Sequence, residues 1–331
     1  MKRISPPPIT VIIAAYGRKQ FLKEAITSVL YQTLPQSKYE IVVIKNFLDK
    51  GIDSYIKKNY IKSVLSNTAN NGGFIIDALK KSRGDVICFL DDDDKFTRDK
   101  LMRVYNEFSK DPKLVFYHNN YKIINEKSRI LTNRNNKERY KHIGRESFVK
   151  AAFNNSSVSI SRRLFSNNIK RWNEAKLSID TLALAFAVKD GGHIKFSNEE
   201  LTLYRIHGSN SAIKETTNEN LAEFITRKRN IEKRFCEVST LFCRITKNTE
   251  FEPMFRRFLI EAKLKYKIYS LANPNRRWLP RPNEYLNILC HPTKERLIIT
   301  SLSLLPRPFK KRAISRIMHK RHSDVLSAQN D

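Results

Sequence analysis

The sequence predicts an α/β fold: a mostly parallel sheet with flanking helices, followed by a helical, basic C-terminal extension. Two observations carry this expectation. Short β-branched runs alternate with segments of helical periodicity, the pattern of strands joined by crossover helices. Beyond about residue 216 the strand signal ends and basic helical segments take over. Hydrophobic residues make up 40% of the 331 and aromatics 10%, enough for a real core, which excludes wholesale disorder. With Gly 9 and Pro 12, collagen-like and low-complexity architectures are also excluded.

The elements follow in order. Residues 9–15 (ITVIIAA) form a continuous apolar run, read as a strand covered on both faces. Pro6-Pro7-Pro8 before it and Arg18-Lys19 after it, with no small-residue cleavage pattern, argue against a signal peptide. Residues 20–33 place Phe21, Leu22, Ala25, Ile26, Val29 and Leu30 at helical spacing. YEIVVI (39–44) repeats the strand signal, 61–65 does so weakly, and 74–82 reads as a short helix. Gly84-Asp85 then turns into VICFL (86–90), a third buried strand. A helix is expected at about 98–109, a strand at 114–118, a polar stretch over 119–145, and helices at about 145–153 and 177–189. Glu199-Glu200 read as a solvated turn.

In a parallel sheet, ligands bind beyond the carboxyl ends of the strands. Two strand ends therefore matter: Ala15-Tyr16-Gly17-Arg18 and Asp91-Asp92-Asp93-Asp94. Four adjacent carboxylates repel one another and are tolerable at a strand end when positive charge sits among them. Carboxylates bind hard divalent cations such as Mg²⁺ or Mn²⁺, and these bridge phosphates. The cluster thus reads as a metal–pyrophosphate site, with a solvated acidic turn as the plainer alternative.

The ordered motifs resemble glycosyltransferase family 2, of the GT-A (Rossmann-like) fold. VIIAAYGRKQFLKEAITSVLYQT resembles that family's first strand, loop and helix, and YEIVVI its second strand. NNGGF (70–74) and SRGDVICFLDDDD (82–94) resemble its glycine and acidic block. ISRRLF (160–165), Asp180 and LTLYRIHGSNSA (201–212) resemble three later elements in the right order. The resemblance covers about residues 9–212 and implies inverting sugar transfer from a nucleotide-diphosphate donor to a glycan or lipid-linked acceptor. It implies that Ala15, Tyr16, Arg18, Asn46, Asn71, Asp91 and Asp92 contact the nucleotide-sugar. Asp93 would bind the metal, Mg²⁺ or Mn²⁺, with His207 completing its shell or touching diphosphate, and Arg205 would pair with phosphate in bidentate fashion. Asp180 would be the catalytic base, its alternative being to cap the helix that follows. Ser156-Ser157 would lie near the acceptor. The family's second strand ends in an Asp pair; here Lys45-Asn46 stand there, and Ile179 rather than an acid precedes Asp180.

Charge speaks about partners. There are 62 Lys and Arg against 33 Asp and Glu, a net +29. Residues 1–219 hold 38 basic and 23 acidic groups and 220–331 hold 24 and 10, so the excess per residue about doubles in the last third. A boundary is expected at 216/217, between a catalytic domain over 1–216 and a basic helical region over 217–331. LIITSLSLL (297–305) is too short to span a bilayer, which takes ~20 residues. With the cationic 306–322 behind it, it suits a segment lying on an anionic membrane surface, or a helical hairpin packed on the catalytic domain. Cys88, Cys236, Cys243 and Cys290 are dispersed without a CxxC, which suits a reducing compartment. The expected location is cytoplasmic, peripheral on the cytoplasmic face of a membrane in the first of these readings. Two other functions stay open. Nucleic-acid binding would explain the charge, but no helix-turn-helix, zinc or RNP-type signature supports it. An inactive relative serving as a partner subunit is the other.

Overall fold

A computed structural model describes residues 8–131, 154–176, 178–207 and 221–270, with isolated positions between 305 and 312. The chain divides into two compact units at His207/Gly208.

The first unit is built on one eight-stranded sheet. Strand β1 (Ile9–Ala15) lies between β2 (Tyr39–Lys45) and β4 (Val86–Asp91), and β3 (Lys62–Leu65) flanks β2, all four parallel. The sheet continues past β4 through β7 (Val158–Ser161), β6 (Leu114–Ile124), β8 (His193–Arg205) and the two-residue β5 (Lys95–Phe96). Strand β7 runs antiparallel to both neighbours, β8 is parallel to β6, and β5 is antiparallel to β8. The apolar runs of β1, β2 and β4 have no solvated face: Ile9, Val11, Ile12, Ile13, Val42, Val43, Phe89 and Leu90 are all buried.

The helices are α1 (Leu22–Leu30), α2 (Lys50–Lys58), α3 (Asn71–Leu79), α4 (Lys100–Lys110), α5 (Arg162–Ser166), α6 (Ile169–Trp172) and α7 (Ile179–Asp190). Asp49 caps α2 by accepting from the Ile52 amide at 3.0 Å. Gln32 closes the start of α4, taking the Leu101 amide at 2.9 Å while donating to the Thr97 carbonyl at 2.7 Å. Helix α3 begins earlier than the sequence suggests because Asn70 caps it, accepting from the Gly73 amide at 2.6 Å.

Gly72 has a steric reason. Its amide bonds the Ala175 carbonyl at 2.9 Å, and a Cβ there would lie 1.7 Å from the Trp172 carbonyl oxygen. Backbone, not a flexible side chain, would have to move. Gly72→Ala is expected to destabilise the first unit by about 3 kcal/mol, the upper end for overpacking. Urea unfolding checks this; an unchanged midpoint would refute the close approach.

Three readings are corrected. Residues 119–124 are not a polar stretch but the second half of β6. Their polar side chains misled because Asn119 and Asn120 are buried inside the sheet's layer, where a polar residue is not a loop signal. Glu199-Glu200 lie within β8, at a register shift opposite Asn119 and Asn120, and reach Arg103 (3.2 Å) and Lys122 (3.7 Å). Helix α2 was not anticipated, although Asp49 and the Ile52/Ile56 pair signal it. The helix expected at 145–153 and the segments 297–305 and 306–322 lie outside the described residues, apart from isolated positions in the last two.

The second unit contributes α8 (Leu221–Ile245) and α9 (Glu252–Ser270), which pack on each other with Phe242 and Phe255 ring centroids 5.9 Å apart. No helix among the described residues is long and apolar enough to cross a membrane.

Candidate active site

Strand register places the site. Ala15 lies beside Lys45 on one side of β1, and Ala14 beside Asp91 on the other. The loops that follow β1, β2 and β4 therefore emerge together at the carboxyl edge. They are tied there: Asn46 Oδ1 accepts from the Gly17 amide at 2.6 Å, and Gly17 takes a left-handed φ of 68° that favours glycine. Lys45, almost fully buried, donates to the Phe47 carbonyl at 2.6 Å and pairs with Asp53 Oδ1 at 2.8 Å. Its charge is thus taken up by the loop that follows it and the first turn of α2. Tyr16 is exposed and meets Phe74 edge-on at 5.6 Å, and Asn71, also exposed, opens α3.

The acidic turn after β4 is held from all sides. Arg18 bridges two carboxylates, reaching Asp92 Oδ1 at 2.5 Å and Asp93 Oδ2 at 2.8 Å. His207 Nε2 lies 3.1 Å from the same Asp93 oxygen. Asn155 donates to Asp91 Oδ1 at 2.9 Å. The Ser156 hydroxyl accepts from the Asp91 amide at 3.0 Å and donates to Asp94 Oδ2 at 2.6 Å. Asp94 Oδ1 accepts the Arg205 amide at 2.9 Å.

Among the described residues, Asp91, Asp93 and Asp94 each offer a carboxylate oxygen, all within 4.8 Å of one another. Burial first, and repulsion from Asp93 next, push the Asp91 carboxyl up to about 7, with Asp180 adding to the rise. Burial likewise pushes Asp92 up to about 7, against the pull of Arg18. Asp94 is raised well above the usual carboxylate range by burial and by Asp93 and Asp91. One buried oxygen, Asp92 Oδ2, has no hydrogen-bond partner among the described residues. Hard oxygen donors in excess of local positive charge, with an orphaned carboxylate oxygen beside them, fit a divalent cation.

Asp180 sits in the first turn of α7, partly buried, its Oδ1 accepting from its neighbour Thr181's amide at 2.7 Å. Burial raises its pKa. Its contribution to the Asp91 shift places the two carboxyls in one electrostatic environment.

Residues 10–169 match the family model described as Glycosyl transferase family 2. This part of the chain belongs to that family. Poly(ribitol-phosphate) beta-glucosyltransferase of Bacillus spizizenii is 34% identical over 113 residues, covering 31% of this chain and 17% of the relative. An uncharacterized glycosyltransferase of Rickettsia conorii is 33% identical over 132 residues, covering 37% of this chain and 20% of the relative. The matched segment thus spans about a fifth of these relatives' length. In fold, the chain is similar to residues 1–349 of S. aureus TarS, crystallised in complex with UDP-GlcNAc, with a TM-score of 0.52 at 15% identity, covering 89% of this chain and 79% of that one. The first unit has the GT-A architecture of family 2.

Against that architecture, the residues expected at the site divide. Ala15, Tyr16, Arg18, Asn46, Asn71, Asp91, Asp92 and Asp93 gather at the carboxyl edge. His207 joins through Asp93, outside the trio of converging oxygens. Arg205 does not present its guanidinium to a ligand. It is fully buried, donating to the carbonyls of Asp93 (2.7 Å) and Glu126 (2.8 Å) and to Glu24 Oε2 (2.9 Å), and stacks over Phe21 at 4.3 Å. The expected phosphate role gives way to a clamp, because every described contact of that side chain is internal. Ser156 and Ser157 are likewise fully buried, and the Ser156 hydroxyl braces the turn. Glu24, Asn155 and Lys100 were missed. Glu24 and Asn155 are distant in sequence from the turn they support, and Lys100, close to it, acts through the distant Ser156, so no local pattern marks any of them.

Proposed function

We propose that the first unit is a metal-assisted inverting glycosyltransferase, moving a hexose from a nucleotide-diphosphate donor to a glycan or lipid-linked acceptor. The observation that carries this is the acidic trio at the carboxyl end of β4, inside a family 2 segment and sharing its environment with Asp180. Asp91, Asp93 and Asp94 hold the cation, Mg²⁺ or Mn²⁺. When bound, that cation supplies Lewis-acid stabilisation of the departing diphosphate. Arg18 keeps Asp92 and Asp93 in place before donor arrives. Ala15, Tyr16, Asn46 and Asn71 line the nucleotide side. Asp180, its pKa raised by burial, takes the acceptor hydroxyl proton as that oxygen attacks the anomeric carbon opposite the leaving group.

The relatives' names support a nucleotide-activated hexose as donor and a phosphate-bearing polymer among the acceptors, and a net +29 suits such polyanions. The same charge supports peripheral attachment at the cytoplasmic face of an anionic membrane through 297–322, within a basic region running from about 217 to 331.

A thermal-shift panel of nucleoside diphosphates and sugar nucleotides, with and without Mn²⁺, tests the reading. A matching donor at a hundredfold excess over Kd stabilises the protein by about 2.7 kcal/mol, several degrees in melting temperature. Asp93→Asn is expected to abolish the Mn²⁺-dependent part. No shift with any nucleotide, or an unaltered Mn²⁺ response in the variant, would overturn the assignment.

A further inference from the structure

Behind the acidic turn lies a buried cation that the proposed chemistry does not use. Lys100, in the first turn of α4, is completely buried. Its ammonium donates to the Ser156 carbonyl and, at 3.0 Å, to Thr202 Oγ1, and it sits 4.1 Å from the centroid of the Phe96 ring. Three donors thus meet two oxygens and a π-face. The Thr202 hydroxyl donates to the same Ser156 carbonyl at 3.0 Å and accepts from Asn119 Nδ2 at 3.0 Å. Helix α4 and strand β8 therefore converge on one backbone carbonyl of the 154–157 turn, with β6 joined to them through Thr202.

The other end of that residue faces the acidic cluster. The Ser156 hydroxyl makes two bonds, one from the Asp91 amide and one to the Asp94 carboxylate. One hydroxyl, itself fully buried, thereby ties the backbone of the first acid of the turn to the carboxylate of the last. A lysine withdrawn from water is costly, and here burial pulls its pKa down to about 7. A methionine of similar length would fill the space without that cost.

We propose that Lys100 and Ser156 are positioning residues: the buried ammonium anchors the Ser156 carbonyl, and the Ser156 hydroxyl sets Asp91 and Asp94 at the spacing a divalent cation requires. The inference rests on the reading that the trio holds a cation. Outer groups that orient metal ligands typically govern 10–100-fold in affinity.

The test is Mn²⁺ binding to the full chain, read from the free-ion EPR signal, in wild type, Ser156→Ala, Lys100→Met and Ser159→Ala. Ser159 is a buried β7 serine whose hydroxyl bonds Cys88 Sγ at 3.3 Å and does not touch the turn, so it controls for loss of a buried hydroxyl. Ser156→Ala is expected to weaken Mn²⁺ binding at least tenfold, with cooperative melting retained in EDTA, and Ser159→Ala to bind as wild type. Lys100→Met should match Ser156→Ala; should it fail to fold, Ser156→Ala decides. Wild-type affinity in Ser156→Ala, or equal losses in Ser156→Ala and Ser159→Ala, would overturn the positioning role while leaving the cation reading intact. Absence of Mn²⁺ binding by wild type would instead remove the cation reading and this inference with it.

Discussion

Asp180→Asn is expected to lower sugar transfer by about 10²–10⁴-fold while donor-induced stabilisation stays at the wild-type level. Asparagine keeps the size of the side chain and its acceptor for the Thr181 amide, so the first turn of α7 survives. What it lacks is the basicity to accept a proton. The raised pKa of Asp180, set by burial, brings the group toward the range where a base works near neutral pH. The measurement pairs transfer kinetics with thermal shift on the same preparation. Loss of both would mean that Asp180 shapes the donor pocket; survival of both would place the base elsewhere.

Arg205→Met is expected to destabilise the first unit by roughly 1–3 kcal/mol, a fall of about 2–12 °C in its melting temperature. The variant leaves the carbonyls of Asp93 and Glu126 without their donor and removes the tie to Glu24 on α1. Most of the loss comes from the Asp93 carbonyl, left buried and unpaired, since Glu24 is partly solvated and Glu126 is exposed. Lysine should not rescue, because one ammonium cannot reproduce a planar fork that reaches the carbonyls of Asp93, Asn125 and Glu126 and the Glu24 carboxylate. The alternative role, pairing with donor phosphate, predicts the reverse: an unchanged melting temperature and lost nucleotide affinity. The two measurements therefore separate clamp from ligand.

These predictions mark where sequence reading held and where it stopped. The strands at 9–15, 39–44 and 86–90 were legible because a strand covered on both faces must be apolar throughout. The importance of Asp91–Asp94 was legible because four adjacent acids at a strand end need a positive partner. Reading failed where burial and polarity coincide. Asn119 and Ser156 look like loop residues, and only a partner from another element, Thr202 for one and Asp94 for the other, offsets the cost of their burial. Arg205 misled for the same reason. A motif places an arginine beside the acidic turn, but not the direction in which its guanidinium points.

By itself, then, the amino-acid order determined the α/β pattern, the family 2 resemblance and the carboxylates that gather at one sheet edge. Those follow from local periodicity and from chemistry carried by contiguous residues. Tertiary structure alone decided where each cation is held: Arg18 across 74 positions on the Asp92 carboxylate, Arg205 from the end of β8 on the Asp93 carbonyl, and Lys100 on the Ser156 carbonyl from behind. A buried charge is stable only where several distant groups converge on it, and no stretch of sequence contains that convergence.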